Sequence, residues 1–171
     1  EFSAWGVSPD LRLKPEIAAP GGEVFSSIPD GAYEQSSGTS MATPQMAGVS
    51  TIVLQRVQSD PLFASMSARQ KADVVQNLIM GTARPLTDSA QTTGALYSPR
   101  KQGAGLVDAL AATTSSVYPT VVGAPEQSRP KADLGDGTKG WHFDVTLHNL
   151  SGTAATYELS SQALSEIVDG G

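Results

Sequence analysis

Gly38-Thr39-Ser40-Met41-Ala42-Thr43-Pro44 is the stretch on which the reading of this 171-residue chain turns. It sets one serine at the mouth of a largely apolar helix. A serine hydroxyl is a weak nucleophile at neutral pH, so a catalytic one needs a base to take its proton and donors to hold the oxyanion that forms. A helix N-terminus meets the second need. Its first amides are unpaired and its dipole favours negative charge, so the Ser40 amide is expected to point at a developing oxyanion. Gly38 allows close approach of backbone to ligand, and Pro44 is expected in the first turn, where no intrahelical donor is lost. Behind them Ala42, Met46, Val49, Val53 and Val57 recur every three or four residues. With Ala47, Ile52 and Leu54 widening the face, the pattern predicts a deeply buried helix. The plain structural alternative is that Ser40 is an N-cap, the usual place of a serine before a helix.

Composition narrows the classes of function. With 39% hydrophobic residues the chain has enough apolar surface for a core, and no run is long and apolar enough to span a membrane. A net charge of −6 argues against nucleic acid or an anionic membrane as partner. The lack of cysteine excludes disulfides and thiolate metal sites. The chain opens on Glu1-Phe2, without an initiator methionine or signal segment, and is read as starting inside a longer protein.

Three further segments belong with the serine stretch. Upstream stand Phe2-Ser3-Ala4-Trp5-Gly6 and Leu13-Lys14-Pro15-Glu16-Ile17-Ala18-Ala19-Pro20-Gly21; downstream stands Tyr97-Ser98-Pro99-Arg100-Lys101-Gln102-Gly103-Ala104-Gly105-Leu106-Val107. In this order they resemble the nucleophile region of the subtilisin-like serine peptidases. The downstream segment resembles the multidomain cell-envelope members, the lactocepin and complement-cleaving group. The matches cover residues 1 to about 113.

The resemblance implies an α/β fold, the C-terminal portion of a subtilase parallel-sheet domain, with Ser40 as nucleophile and backbone oxyanion donor. It implies a protein or peptide substrate, an extracellular, cell-envelope-associated location, and the missing N-terminal part of the catalytic domain as the partner of this chain. No cofactor is expected in the chain itself; calcium stays open for the longer protein. Gln45 departs from the histidine that many subtilases carry after the motif proline, a position that is not part of the triad.

Proline, glycine and aspartate punctuate the rest of the chain. Pro9-Asp10 and Pro15 limit residues 11–19 to one short strand, and residues 23–28 form a second that ends at Pro29-Asp30-Gly31. Trp5 reads as a packing anchor. Ser67-Ala68-Arg69-Gln70 has the form of a capping box before an amphipathic helix through Ala72, Val75 and Ile79, with Gly81 at its C-terminal turn. Residues 84–102 read as a long surface loop, and residues 105–112 as a last helix with Leu106, Val107 and Leu110 inward.

Residues 1–115 are thus assigned to the catalytic domain, 116–130 to a proline-bearing linker and 131–171 to a second domain. In the last, Trp141, Phe143, Val145 and Leu147 alternate with polar residues as in a half-buried strand, and Ala155, Tyr157 and Leu159 alternate on the return. This resembles an incomplete antiparallel β-sandwich of the fibronectin III type. The two carboxylates of the 133–137 loop read as a polar turn rather than a calcium loop.

A serine peptidase needs a histidine, and the chain has two, His142 and His148. Both fall on the polar side of the trailing strand and are read as solvated surface. In subtilisin the triad runs Asp, His, Ser, so both partners of Ser40 are expected upstream of Glu1, as is the side-chain oxyanion donor. The expected function is therefore that of an extracellular serine endopeptidase acting through an acyl-enzyme on Ser40, with the isolated chain inactive. Two alternatives stand beside it: a catalytically dead subtilase used as a scaffold or adhesion module, and a non-enzymatic module whose function lies in the sandwich.

Overall fold

In the computed structural model, which describes residues 3–88, 94–122, 129–132, 140–162 and 164, two helices carry the core. Helix α1 (Thr39–Ser59) leaves Gly38, and helix α2 (Ala68–Gly81) leaves Ser67. The second start is the capping box that the sequence predicts: Ser67 accepts from the Gln70 amide and Gln70 returns a bond from the Ser67 amide at 2.9 Å. Together these satisfy two amides that the helix itself leaves unpaired. Val53 and Val57 of α1 close on Val74, Val75, Leu78 and Ile79 of α2, with Phe63 from the connecting turn, Ala112 and Tyr118.

The burial of α1 is less than its sequence predicts. Only Val53 and Val57 are fully enclosed, Met46, Val49 and Leu54 are half-buried, and Ala47 and Ile52 are exposed. α2 covers one side of the C-terminal half, so the wide apolar face has more area than the described residues cover.

Two antiparallel strand pairs accompany the helices. β1 (Val24–Ser27) pairs with β2 (Tyr33–Ser36) through Phe25 opposite Gln35, around the Pro29–Gly31 turn. β2 is polar and carries no strand signature of its own; it forms because the turn returns the chain beside β1. A second pair joins β3 (Val117–Val122) to β4 (Asp144–Asn149). β3 thus occupies residues assigned to the linker, and it packs Tyr118 and Val121 into the interior.

The faces of β4 differ from expectation. His148 is half-buried, its ring stacked on Tyr118 at 4.5 Å, while Trp141, Phe143, Val145 and Leu147 are each about half exposed. Pairing with β3 decides the facing, since His148 is the register partner of Tyr118. Residues 154–162 form no strand, so the expected return strand through Ala155, Tyr157 and Leu159 is not made. The 133–137 loop lies outside the described residues.

The only parallel pairing among the described residues is the bridge of Ala18 to Leu106. Pro15 interrupts the approach to Ala18, so no longer ladder forms there. Leu106 also bridges Arg84, which ties three distant segments side by side: the Ala18 amide donates to the Gly105 carbonyl at 2.9 Å, and Arg84 and Leu106 exchange bonds of 2.9 and 2.8 Å. The expected loop of 84–102 is pinned further by a Thr87–Leu96 bridge, the short helix α3 (Pro99–Gln102) and the buried Gln102, whose amide donates to the Tyr97 carbonyl. Helix α4 (Ala109–Thr114) starts later than predicted because Asp108 caps it, and the late start buries Ala112 and leaves Leu110 outside. Trp5 is half exposed with the Lys101 ammonium 4.0 Å above its ring, a cation–π contact rather than a buried anchor.

Residues 129–132 return to the first segment through one carboxylate. Glu16 meets Lys14 at 2.8 Å, Lys131 at 3.6 Å and Arg129, and Lys131 also donates to the Leu13 carbonyl. Burial works to raise the Glu16 carboxyl, but the Lys14 hydrogen bond and the charges of Arg129, Lys14 and Lys131 together hold it below its ordinary value of 4.5. A lowered folded value means stability that is present above about pH 4.5 and lost as pH falls through the folded value. Urea midpoints measured from pH 7 to pH 3 are therefore expected to fall less for Glu16→Gln than for the wild type, with the variant the weaker at pH 7. Parallel curves would show that the cluster adds nothing.

Candidate active site

Ser40 is the second residue of α1 and lies exposed. The cap is Gly38, whose carbonyl accepts from the Met41 amide at 3.1 Å and from the Ala42 amide at 3.4 Å. Ser40 is thus inside the first turn and not an N-cap. The amides of Thr39 and Ser40 have no acceptor among the described residues, and neither does the Ser40 hydroxyl. They stand at the positive end of a 21-residue helix, where an oxyanion is stabilised by unpaired N–H groups and by the dipole. Because the helix begins at Thr39, Pro44 falls at its sixth residue and not in the first turn. The amide it lacks is the one that would reach the Ser40 carbonyl. Thr43 donates its hydroxyl back to the Thr39 carbonyl at 2.9 Å.

The close approach of backbone occurs one partner away from where the sequence places it. Gly38 has an extended φ of 161° and room for a Cβ in ordinary contact. Gly21 does not: a Cβ there would stand 2.6 Å from the Gly38 carbonyl oxygen and 3.2 Å from Cβ of Ala42. The Gly38 amide donates to the Gly21 carbonyl at 2.8 Å, so the 19–22 turn seats the first turn of α1. The turn was legible from Pro20-Gly21-Gly22; its partner was not. Ser37, just before the cap, accepts from the Glu23 amide at 2.8 Å and fastens the hairpin to the same corner. Beside Thr39, Ala42 and Met46 lies an apolar hollow of 490 Å³, walled by Ile17, Ala18 and Lys101.

No base stands beside the serine among the described residues. His142 is 90% exposed and pairs with Asp144 at 3.5 Å, and His148 is held by Tyr118 and by the Thr120 hydroxyl at 2.9 Å from Nε2. His142 is surface, as its alternation suggests, whereas His148 is a packing residue. No group of three or more metal-ligating side chains occurs among the described residues, and no helix of theirs is long and apolar enough to cross a membrane.

The long helix of this α/β chain thus opens on an exposed serine with unpaired amides. Residues 1–105 match the model of the Subtilase family, and the chain belongs to that family of peptidases. It is similar to the C5a peptidase of Streptococcus pyogenes, with 31% identity over 169 residues, covering 99% of this chain and 14% of that protein. It is also similar to the PII-type proteinase of Lactococcus lactis subsp. cremoris, with 33% identity, covering 94% of this chain and 9% of the relative. The chain thus spans a small part of the curated relatives it matches. Among solved structures, that of the Prenylagaramide maturation protease PagA covers 64% of this chain and 34% of its own, with 27% identity and a TM-score of 0.45.

Proposed function

We propose that Ser40 is the nucleophile of an extracellular serine endopeptidase and that this chain is the part of it that supplies nucleophile and backbone oxyanion donor. The observation that carries the reading is the exposed Ser40 hydroxyl beside its own unpaired amide at the N-terminal turn of α1. The hydroxyl oxygen attacks a peptide carbonyl carbon, the amide holds the oxyanion, the amine leaves with a proton, and water then cleaves the serine ester. The general base and the carboxylate that orients it come from residues outside this chain, and the chemistry uses no cofactor. Relatives named as a peptidase and a proteinase support a protein substrate. Residues 131–171, whose strand β4 pairs with β3 from the 116–130 stretch, belong to a fibronectin III-like domain.

Without a base, a triad enzyme keeps only the roughly 10³-fold acceleration that comes from binding and oxyanion contacts. The purified 171-residue chain is therefore expected to show no peptide hydrolysis above the buffer blank. Turnover that vanishes in Ser40→Ala would place a base within the chain and overturn that part of the proposal.

No base stands beside the exposed Ser40 among the described residues, which leaves one other reading, a dead subtilase serving as a scaffold. Fluorophosphonate labelling of the whole protein separates the two, because only an activated serine reacts.

A further inference from the structure

The two ends of α1 are held in different ways. Val53 and Val57, in its C-terminal half, close on α2. Its first turn, which carries Ser40, rests instead on the 19–22 turn, where the Gly38 amide donates to the Gly21 carbonyl at 2.8 Å with no room for a side chain on Gly21. Where Ser40 stands is therefore set by whatever fixes the segment that leads into that turn.

That segment is gripped along its backbone and by one side chain. On the backbone, the Ala104 amide donates to the Glu16 carbonyl at 3.0 Å, the Ala18 amide to the Gly105 carbonyl at 2.9 Å, and the Val107 amide to the Ala18 carbonyl at 2.9 Å. The side chain is Glu16, whose carboxylate meets Arg129 and Lys131 at the end of the 116–130 junction. Arg129 also donates from Nε to Gln76 Oε1 at 3.0 Å, so one guanidinium joins the first segment to α2. The Lys131 side chain is only 7% exposed, and its ammonium reaches both Glu16, at 3.6 Å, and the Leu13 carbonyl, at 3.0 Å. A nearly buried ammonium with two acceptors has little freedom, because leaving them would strand its charge away from water. A guanidinium fork fixes direction as well as distance. Lys14 meets the same carboxylate from within the segment and so ties it to nothing further along the chain.

We infer that Arg129 and Lys131 are positioning residues for Ser40, acting through the Glu16 carboxylate; the inference rests on the peptidase reading of that serine. The path runs from Glu16 through Ile17 and Ala18 to the Gly21 seat, and from the seat through the Gly38 cap to the first turn of α1. Partly exposed ion pairs add little to global stability. Acyl transfer is more demanding than folding, since a nucleophile misplaced by about 1 Å can lose about 10²-fold in rate. Loosening the grip on Glu16 thus lowers the share of molecules with an aligned serine while the fold persists. The reactivity of the nucleophile is in this way coupled to the stretch of chain that leads into the following domain.

Hydrogen exchange and fluorophosphonate labelling of the whole protein test the inference together, in Arg129→Gln, Lys131→Met and the two combined. In the combined variant, peptides covering residues 16–22 and 36–42 are expected to exchange at least about threefold faster, while residues 50–59, the half of α1 held by α2, keep the wild-type rate. Labelling and kcat are expected to fall at least about tenfold with KM within about twofold, because alignment is lost and no group that binds substrate is removed. Arg129→Lys keeps the charge and is expected to recover part of the labelling rate. Glu16→Gln should match the combined variant, and adding it to that variant should cost nothing more, since all three side chains act through one carboxylate. Faster exchange that spreads to residues 50–59 would mark a general loss of folding and overturn the inference, as would unchanged labelling or unchanged exchange at 16–22 and 36–42. Should the wild-type serine prove unreactive, the peptidase reading fails by itself, and exchange at those two segments still decides whether Arg129 and Lys131 hold the first turn of α1.

Discussion

Ser40→Ala in the whole protein is expected to abolish peptide hydrolysis, with a loss on the order of 10⁶-fold in kcat, and to abolish fluorophosphonate labelling. Such a factor corresponds to about 8 kcal/mol of transition-state stabilisation. The magnitude follows from the chemistry, because without the hydroxyl there is no acyl-enzyme, and what remains is water attack assisted by the oxyanion contacts. Stability should barely change. Ser40 is exposed, caps nothing and makes no side-chain hydrogen bond among the described residues, and alanine is the better helix former at its position. The variant should therefore melt with the wild type while losing all activity. An unlabelled but fully folded wild-type protein would instead establish the scaffold reading. Labelling that survives in Ser40→Ala would move the nucleophile to another residue.

What the sequence made legible here is what is local. The Ser67 capping box, the Pro29 turn and the helix that follows Gly38 rest on residues within four positions of each other, and each is found where the pattern puts it. What it hid depends on partners far along the chain. β2 is a polar tetrapeptide that becomes a strand only because β1 lies beside it. His148 alternates like a surface residue but is drawn inward by Tyr118, 30 residues earlier in the same sheet register. Gly81 stands in the C-terminal turn of α2, where the pattern puts it, but its spacing does not reveal that a Cβ there would stand 2.7 Å from Cδ of Pro119. The packing of β3 on α2 is the stronger reason for that glycine. At the candidate site the serine and its helix were legible, and the Gly21 seat beneath them was not, because only the folded backbone brings residues 21 and 38 together.

The same dependence on distant partners makes Gly105 the position where a single added methyl should do most damage. Its φ is +123°, a conformation that L side chains avoid, and a Cβ would stand 2.3 Å from the Arg84 carbonyl oxygen and 2.5 Å from its carbon. Neither atom can yield freely, because Arg84 is bonded in both directions to Leu106, and the Gly105 carbonyl already holds the Ala18 amide. Backbone strain and overpacking each cost about 1–3 kcal/mol, so Gly105→Ala is expected to lose roughly 3–5 kcal/mol, a large share of the stability of a typical domain. Gly94→Ala is the control. It also has a positive φ, of +67°, but no atom of the described residues within 4 Å of an added Cβ, so only the strain of about 1–2 kcal/mol should appear in its urea midpoint. The damage at Gly105 should also reach the serine. Residue 105 anchors Ala18, the 19–22 turn follows directly, and Gly21 of that turn holds the cap of α1. At temperatures where Gly105→Ala is still folded, its rate of fluorophosphonate labelling should therefore fall below that of Gly94→Ala. Equal midpoints for the two variants would show that the segment at Arg84 moves aside, and that the three-way tie through Leu106 does not hold the nucleophile in place.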